Sequence, residues 1–426
     1  MTTEASDAAR SAPPSRYPLT CRGCAAPLAR VFVDLGSSPL ANSYLEPADL
    51  AAAERFYPLA VYVCERCWLC QLPEAASPAE IFGDYAYFSS YSTSWLEHAR
   101  RYVDAMISRF GLGASHQVVE IASNDGYLLR WFRERGVPVL GVEPAANVAA
   151  AARELGIPTE VRFFGLETAR DLVARGLAAD LALGNNVLAH VPDLDDFLAG
   201  IAVLLKPGGL ATFEFPHLVR LVAENQFDTI YHEHFSYFSL VAVARVLERH
   251  GLEPFDVEEL ATHGGSLRLY VQRRDAGGRP VDARVAELAA RERALGVETP
   301  AYYESFAEQV RETKRKLLEF LIRARREGKR VVGYGAPAKG NTLLNYCGVR
   351  TDFLDFTVDR SPHKQGRYLP GTRIPILAPE AILEARPDYV LILPWNLSGE
   401  IAAQMAAVRA WGGRFVVAIP EVRVLP

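Results

Sequence analysis

The sequence predicts an α/β protein with a small N-terminal zinc-binding module, a central Rossmann-like domain and a second Rossmann-like domain at the C-terminus. Three observations support this fold class: paired cysteines near the N-terminus, two stretches in which strand and helix patterns alternate, and a length of 426 residues, which exceeds one ordinary core. We expect a flexible leader at 1–17, the zinc module at 18–75, the central domain at 76–300 and the C-terminal domain at 301–426.

The composition is that of a globular protein with no electrostatic bias toward nucleic acids or anionic membranes. Hydrophobic residues make up 50% of the chain and charged residues 23%, and the formal net charge is −5. The leader lacks the apolar core of a signal peptide, and no apolar stretch approaches the ~18 residues of a membrane-spanning helix. We therefore expect a cytoplasmic monomer that binds neither a nucleic-acid polymer nor a membrane.

Five of the six cysteines lie near the N-terminus, in "CRGC" and "CERCWLC". Two C-x2-C pairs are the ligand pattern of a tetrahedral structural zinc, which predicts Zn²⁺ on Cys21, Cys24, Cys64 and Cys67 and leaves Cys70 outside the site. The alternative is a set of unrelated core cysteines. A four-thiolate site has no open coordination position, so we assign it to stability and not to catalysis.

The first alternating series begins at "HQVVEIASNDG" and reads strand, turn, helix, strand, helix. Two further strand patterns follow, "DLALGNNVLAHV" and "LLKPGGLATFEFP". This order is typical of a doubly wound parallel sheet, whose ligands bind at the carboxyl ends of the strands.

The loop after the first strand carries acids and amides where a dinucleotide-binding loop would carry glycines. Such a loop suits a cationic ligand, and S-adenosylmethionine has both a sulfonium and an ammonium group. The alternative for Asn124 and Asp125 is helix capping. The predicted cofactor ligands in this loop are Glu120, Ala122, Ser123, Asn124, Asp125 and Gly126.

Two other strand ends complete the predicted cofactor site. In "GVEP", Glu143 and Pro144 end the second strand, where an acid can accept both ribose hydroxyls. In "GNNVLAHV", Asn185 and Asn186 end the strand pattern that begins at "DLALG". The combination of an acidic loop, a ribose acid and this amide pair favours S-adenosylmethionine over a dinucleotide.

The stretch "YHEHFSYFS", residues 231–239, places two histidines and a glutamate among four aromatic residues. Histidine has an unperturbed pKa of about 6.5, so it suits a general base near neutral pH. The alternative is a core histidine with its hydrogen bonds satisfied. Phe235, Tyr237 and Phe238 are expected in the core or the pocket wall.

The second alternating series follows one long helix predicted at 302–327 and starts at "KRVVGYGAPAKGN". Backbone amides at the start of the next helix favour a phosphate, and Asp359, at the end of the following strand, can hold a ribose. The alternative is a degenerate nicotinamide site of a redox enzyme. The candidates for a nucleotide diphosphate and its cleft are Tyr334, Lys339, Asn341, Asp359, Lys364, Trp395 and Asn396.

Taken in order, "CRGC" and "CERC", "EIASNDG", "GVEP", "NNVLAHV", "YHEHFSYFS", "HGGSLR" and "GYGAPAKGN" resemble the S-adenosylmethionine-dependent C-methyltransferases of nucleotide-linked deoxysugars, over about residues 18–426. The resemblance implies a substrate that is a 4-keto sugar on a nucleoside diphosphate, with dTDP expected, and methylation at C3. It further implies a C-terminal domain that helps to hold this substrate.

The resemblance also implies the catalytic roles. His234 is the base that deprotonates the carbon next to the ketone, Tyr231 and Glu233 lie beside it, and the resulting enolate attacks the sulfonium methyl. His190 and Tyr85 match positions near the substrate, and His263 is a further candidate for the same pocket.

One position departs from the family pattern. Many relatives have an acid before the two phenylalanines of "PTEVRFFG", where this chain has Arg162, so we expect backbone groups or Glu160 to meet the adenine amino group. The competing functions are C-methylation of another keto substrate, a zinc-ribbon methyltransferase that binds nucleic acid, and a non-catalytic partner protein.

Overall fold

The computed structural model describes residues 19–77, 80–81, 89–91 and 93–426. The predicted leader and Tyr85 lie outside the described residues. The described chain contains three sheets, and the predicted fold class is confirmed.

The N-terminal module is a four-stranded antiparallel sheet in the order β1-β2-β3-β9. Its last strand comes from far along the chain, because β9 belongs to the segment "YHEHFSYFS". Val33, Leu35 and Val61 face the core, as expected for strands with one buried side. The strands are β1 Arg30–Ser38, β2 Tyr57–Val63, β3 Cys70–Gln71 and β9 Ser236–Tyr237.

The central domain holds a seven-stranded sheet in the order β10-β11-β8-β7-β4-β5-β6. Strands β8, β7, β4, β5 and β6 are parallel, β11 pairs antiparallel with β8, and β10 pairs antiparallel with β11. All four residues of β4 are buried, because helices cover both faces of the parallel part. The strands are β4 Val118–Ile121, β5 Val139–Val142, β6 Thr159–Glu160, β7 Ala179–Asn185, β8 Leu205–Pro216, β10 Leu252–Leu260 and β11 Ser266–Arg273.

Some helices of this domain begin at a residue whose side chain accepts from a free amide of the first turn. The Asp193 side chain accepts from Asp196 N at the start of α5, and the Ser239 side chain accepts from Ala242 N at the start of α7. The helices are α1 Thr93–Phe110, α2 Leu129–Glu134, α3 Ala146–Glu154, α4 Leu166–Ala174, α5 Leu194–Leu204, α6 Leu218–Ala223, α7 Leu240–Glu248 and α8 Ala283–Ala294.

The C-terminal domain has a six-stranded sheet in the order β14-β13-β12-β15-β16-β17, parallel except for β17. The strands are β12 Val331–Tyr334, β13 Thr357–Val358, β14 Ile376–Leu377, β15 Tyr389–Ile392, β16 Arg414–Val417 and β17 Arg423–Val424. The helices are α9 Ala301–Glu304, α10 Phe306–Arg326, α11 Ala338–Cys347, α12 Glu380–Ala385 and α13 Ser398–Gln404.

The helix predicted at 302–327 is interrupted at Ser305, which separates α9 from α10. The expected apolar stripe is present on α10, where Phe306, Val310 and Leu317 are fully buried. None of the helices in the described ranges combines the length and hydrophobicity that a bilayer crossing requires.

Candidate functional site

The four predicted zinc ligands converge, with their sulfur atoms all within 4.8 Å of one another. The closest pairs are Cys21 with Cys67 at 3.4 Å and Cys24 with Cys64 at 3.5 Å. A tetrahedral zinc with Zn–S bonds of about 2.3 Å separates its sulfurs by about 3.8 Å, so the cluster fits this ion.

Polar hydrogens support thiolates at this cluster. The Gly23 amide and the Gln71 side-chain amide donate to Cys21 Sγ at 3.3 and 3.1 Å, and the Arg66 amide donates to Cys64 Sγ at 3.4 Å. Such donors stabilise the ionised ligands that zinc requires.

The loop after β4 adopts a backbone that few residues tolerate. Ala122, Asn124 and Gly126 have φ angles of 51°, 50° and 75°. Asparagine and glycine accept this conformation readily, and alanine does so at an energetic cost. The loop therefore turns sharply at the carboxyl end of the strand, where a ligand would bind.

Glu143 connects this loop to the second strand end. Its two carboxylate oxygens accept hydrogen bonds from the amides of Asn124 and Ala145, both at 2.9 Å. Asn124 Oδ1 and Asp125 Oδ2 in turn accept from the amides of Ser89 at 2.8 Å and Ser90 at 3.1 Å. The Glu143 carboxylate still has lone pairs that can accept from a ribose.

The loop is acidic and buried. Burial raises the pKa of Glu120 well above its ordinary value, and the charges of Asp125 and Glu143 add to this effect. Within the described residues, Glu120 Oε2, Ser123 Oγ and Asp125 Oδ1 are buried without a hydrogen-bond partner. A buried site with several carboxyl groups and unused acceptors fits the ammonium and sulfonium of S-adenosylmethionine, because a bound cation would offset the cost of ionising those carboxyl groups.

Asn185, the last residue of β7, and Asn186, which follows it, have different surroundings. Neither side-chain atom of the buried Asn185 has a partner within the described part of the chain. Asn186, with φ 56°, donates through Nδ2 to His263 Nε2 at 3.1 Å. His263 also lies against Trp95, with ring centroids 4.9 Å apart. The cofactor strand ends are thus connected to the loop that carries His263.

The imidazole of His234 has a defined tautomer. Its Nδ1 lies 2.7 Å from the carbonyl oxygen of Thr229, and a carbonyl only accepts, so Nδ1 carries the hydrogen. Nε2 of the neutral ring therefore has a free lone pair. This is the arrangement that a general base requires.

The rings of His190 and Tyr231 flank His234, with centroids 4.7 and 4.0 Å from it. Burial lowers the pKa of His234 well below its ordinary value, and the nearby His190 and Lys339 contribute to the decrease. Burial also lowers the pKa of His190, to about 4. Both imidazoles are thus neutral at pH 7.

The other two polar residues of the stretch contact the N-terminal module. His232 Nε2 lies 3.2 Å from the Pro58 carbonyl, so this ring is held by β2. Glu233 Oε1 accepts from Asn42 Nδ2 at 2.6 Å. The hydrogen bond that orients His234 comes from the Thr229 carbonyl.

Two predicted substrate ligands, Lys339 and Trp395, lie where the C-terminal domain contacts the turn that holds Asp228. Lys339 Nζ donates to Asn396 Oδ1 at 2.9 Å and lies 4.6 Å from the centre of the Trp395 ring. Trp395 Nε1 donates to Asp228 Oδ2 at 2.7 Å. Asp228 directly precedes Thr229, so one short turn contacts both His234 and the cleft of the C-terminal domain.

The remaining predicted substrate ligands lie around the loop that follows β12. Asp359 accepts from the amides of Ala336 and Ser361, both at 2.8 Å. Lys364 Nζ donates to the Ala336 carbonyl at 2.9 Å. Tyr334 ends β12 and is buried. Asn341 Nδ2 donates to the Ala41 carbonyl at 2.6 Å, so this amide holds the N-terminal module.

A buried ionic network next to this site escaped the sequence reasoning. Glu214, at the end of β8, contacts His98 at 2.9 Å, Arg268 at 2.8 Å and Thr262 at 2.8 Å. Burial opposes its ionisation, but the hydrogen bond from His98 and the charge of Arg268 lower the pKa of Glu214 to about 2. Its position at a strand end was the available signal.

Asn42, Tyr44, Asp228 and Thr229 were also not predicted. Asn42 and Tyr44 lie between the cysteine pairs, and Thr229 acts through its backbone, so no side-chain pattern marks them. Arg162 donates to Asp171 at 2.5 Å and Glu160 accepts from Arg175 at 2.7 Å, so both residues at the predicted adenine position take part in ion pairs.

Three family models match consecutive parts of the chain. The model described as "Putative zinc binding domain" matches residues 21–82, "Methyltransferase domain" matches 95–257, and "C-methyltransferase C-terminal domain" matches 261–420. Their order is that of the zinc module, the central sheet and the C-terminal sheet.

The chain is similar to individual proteins as well. C-methyltransferase NovU of Streptomyces niveus is 40% identical over 405 residues, which cover 95% of this chain and 96% of that protein. A ubiquinone biosynthesis O-methyltransferase of Chelativorans sp. (strain BNC1) is 33% identical over 98 residues, 22% of this chain and 38% of that protein.

Among solved structures, Burkholderia thailandensis 1,6-didemethyltoxoflavin-N1-methyltransferase, with 1,6-didemethyltoxoflavin and S-adenosylhomocysteine bound, has 19% identity and a TM-score of 0.35. The match covers 50% of this chain and 95% of that one, and it is too distant to add to the assignment. The near full-length similarity to NovU and the three family models confirm the resemblance seen in the motifs. The chain belongs to the family of S-adenosylmethionine-dependent C-methyltransferases.

Proposed function

We propose that this enzyme methylates C3 of a 4-keto deoxysugar linked to a nucleoside diphosphate, with dTDP as the expected nucleotide. The observation that carries this proposal is the tautomer of His234, whose Nδ1–H is bound to the Thr229 carbonyl at 2.7 Å. Methylation of carbon requires a carbanion equivalent, and a base beside a ketone is the simplest way to form one.

In the proposed reaction, His234 Nε2 removes the proton from the carbon next to the ketone. The electron pair of the broken C–H bond forms a double bond between this carbon and the carbonyl carbon. The π electrons of the ketone move onto its oxygen, which becomes an enolate oxygen. Tyr231, with its ring 4.0 Å from that of His234, is placed to hold the substrate or to donate to this oxygen. The neutral state of both His190 and His234 keeps the proton acceptor available at pH 7.

The acidic loop after β4, with Glu143 and the Asn185–Asn186 pair, would hold the cofactor. When bound, S-adenosylmethionine supplies an electrophilic methyl group on a sulfonium, and the sulfur keeps the electron pair of the broken C–S bond. The enolate carbon forms the new C–C bond, and the ketone is restored. The similarity to NovU, a C-methyltransferase, supports carbon as the acceptor atom.

The C-terminal domain would hold the nucleotide diphosphate. Lys339, near the start of α11, and Lys364 supply positive charge beside the loop that follows β12. Asp359 follows the neighbouring strand β13, accepts from the amides of Ala336 and Ser361, and lies 3.9 Å from Lys364 Nζ. Trp395 offers a ring face on the same side.

The test is to incubate the enzyme with a panel of 4-keto sugar nucleotides in heavy water, with and without S-adenosylmethionine. We expect solvent deuterium to enter next to the ketone, and methyl transfer to the same carbon. His234→Asn should reduce both rates by about 10²- to 10⁴-fold while S-adenosylmethionine binding persists.

His232→Asn is the matched control, because this neighbouring histidine is bound to the Pro58 carbonyl and should not act as the base. If His234→Asn exchanges deuterium at the wild-type rate, the base is another residue. Absence of exchange with every keto sugar would reject the substrate class.

A further inference from the structure

A short part of the N-terminal module, the 41–45 segment, lies between the base-bearing stretch and the C-terminal domain. The Ala41 carbonyl accepts from Asn341 Nδ2 at 2.6 Å. Leu45 exchanges two backbone hydrogen bonds with Tyr368, at 3.0 and 2.9 Å. Both ends of the segment are therefore fixed to the C-terminal domain.

The middle of the segment reaches Glu233. Asn42 Nδ2 donates to Glu233 Oε1 at 2.6 Å, a short hydrogen bond to a buried carboxylate that neighbours the base. A charge-assisted hydrogen bond of this kind is about twice as strong as a neutral one. Asn42 therefore restricts the orientation of the Glu233 side chain.

Tyr44 fixes Asn42 to the loop that follows β12. Its hydroxyl has one hydrogen, which it donates to the Ala336 carbonyl at 2.5 Å and can share with Asn42 Oδ1, 3.2 Å away. The same Ala336 carbonyl accepts from Lys364 Nζ at 2.9 Å, and Lys364 lies 5.2 Å from the centre of the Tyr44 ring. The predicted phosphate-binding loop and Glu233 are thus joined by two side chains of the zinc module.

We propose that Asn42 and Tyr44 are positioning residues for catalysis, which hold the Glu233 carboxylate at a fixed position relative to the loop at Ala336. The inference rests on the proposed function, in which the base acts on a sugar and Glu233, beside the base, is placed to accept a hydrogen bond from a sugar hydroxyl. It adds that the zinc module contributes directly to the active site. The amide of Asn42 orients the carboxylate, and the Tyr44 hydroxyl, held by the Ala336 carbonyl, lies against the oxygen of that amide.

The physical requirement is one of precision. A displacement of about 1 Å of a catalytic group can reduce a rate about 100-fold. Glu233 lies on a turn, since His234 N donates to the Tyr231 carbonyl at 2.9 Å, so its backbone alone does not determine where the carboxylate points. The hydrogen bond from Asn42, which belongs to the zinc module, adds a restraint on the direction of this carboxylate.

The test compares four variants of the full-length enzyme. Asn42→Ala removes the donor, Asn42→Asp replaces it with a second carboxylate, and Tyr44→Phe removes only the hydroxyl. Ser43→Ala is the matched control, because Ser43 lies between them and is exposed. Zinc content, melting temperature and S-adenosylmethionine affinity are measured for each variant.

We expect Asn42→Ala and Tyr44→Phe to lower the rate of deuterium entry into a keto sugar by about 10- to 100-fold. Asn42→Asp should be slower than Asn42→Ala, because two adjacent carboxylates repel. The loss should appear mainly in kcat, with zinc content and cofactor affinity unchanged. A merely structural role would instead rank the variants by melting temperature.

Amide hydrogen exchange of the 229–236 peptide in the substrate-free enzyme separates the two proposals. Faster exchange in Asn42→Ala but not in Ser43→Ala supports the positioning role, even if no keto sugar is a substrate and the proposed function fails. Wild-type rates of deuterium entry in Asn42→Ala, Asn42→Asp and Tyr44→Phe would overturn the positioning role, even if the proposed function holds.

Discussion

The imidazole of His234 donates a hydrogen bond to one carbonyl, and the residue is almost completely buried. The Thr229 carbonyl fixes its tautomer, and the rings of His190, Tyr231 and Tyr237 surround it, with Tyr237 at 6.2 Å. Taking a charged imidazolium out of water is unfavourable, so the neutral form is retained to lower pH than in solution.

This environment predicts the pH dependence of proton abstraction. Because burial lowers the pKa of His234, the neutral base persists as the pH falls through the ordinary value of about 6.5. The rate of deuterium entry should therefore stay level from pH 7 to below 6.5 and decline only at more acidic pH. Initial rates measured across a pH series check this. A decline centred at pH 6.5 or above would contradict it.

At the scale of elements, short turns do much of the positioning. The single 3-10 turn Phe227–Thr229 places Asp228 against Trp395 and the Thr229 carbonyl against His234. The turn Thr262–Gly264 carries His263 with a φ angle of 55°. These turns meet the C-terminal domain, so their conformation determines the spacing between the base and the predicted nucleotide ligands.

Gly264 lies where the Thr262–Gly264 turn packs against Trp395, so a substitution there tests how closely the two fit. It has a φ angle of 94°, and a Cβ at this position would lie 2.5 Å from the Trp395 ring. Gly264→Ala should lower the free energy of unfolding by about 2–4 kcal/mol, the sum of backbone strain and overpacking.

Gly278→Ala is the control for this prediction, because Gly278 has a φ angle of 74° with nothing within 4 Å of the added methyl group. It should lower the free energy of unfolding by about 1–2 kcal/mol from backbone strain alone. Denaturant unfolding measures both variants. Equal losses would show that Trp395 does not restrict the turn.

At the scale of the whole molecule, the zinc module and the catalytic stretch form one sheet. Strand β9, two residues after His234, pairs with β3, and the Leu72 amide donates to the Phe235 carbonyl at 2.9 Å. The Arg22 guanidinium, next to the zinc ligand Cys21, also donates to the Phe235 carbonyl. The cysteine cluster thus supports the backbone that carries the predicted base, although a zinc ion on four thiolates would have no open coordination position.

Zinc removal should therefore affect catalysis as well as stability. Chelation, or Cys67→Ala, is expected to lower the melting temperature and to reduce deuterium entry by about 10-fold or more, because the ligands fold with the metal. Cys70→Ala is the control, since Cys70 lies outside the four-sulfur cluster. It should retain one zinc per chain, measured by elemental analysis. Full proton abstraction in zinc-free enzyme would contradict the prediction.

The two β/α series and the cysteine pairs were readable because each follows a short-range rule. Parallel strands buried on both faces appear as apolar runs, and thiolate pairs for zinc appear at fixed spacing. The strand ends then located the acidic loop, Glu143 and Asn185 without further information. Ser305 interrupts the predicted long helix. A single polar residue does not disturb the apolar periodicity that predicts a helix, so no pattern marks this break.

By itself the sequence determined the fold class, the four cysteines that cluster, the family and the neighbourhood of the predicted base. The tertiary structure decided that Thr229 orients His234, that Asn42 holds Glu233, and that β9 joins the zinc module. These contacts join residues that are distant in the chain, or use backbone carbonyls that every residue possesses. Only the packing of the three sheets against one another selects which of them form.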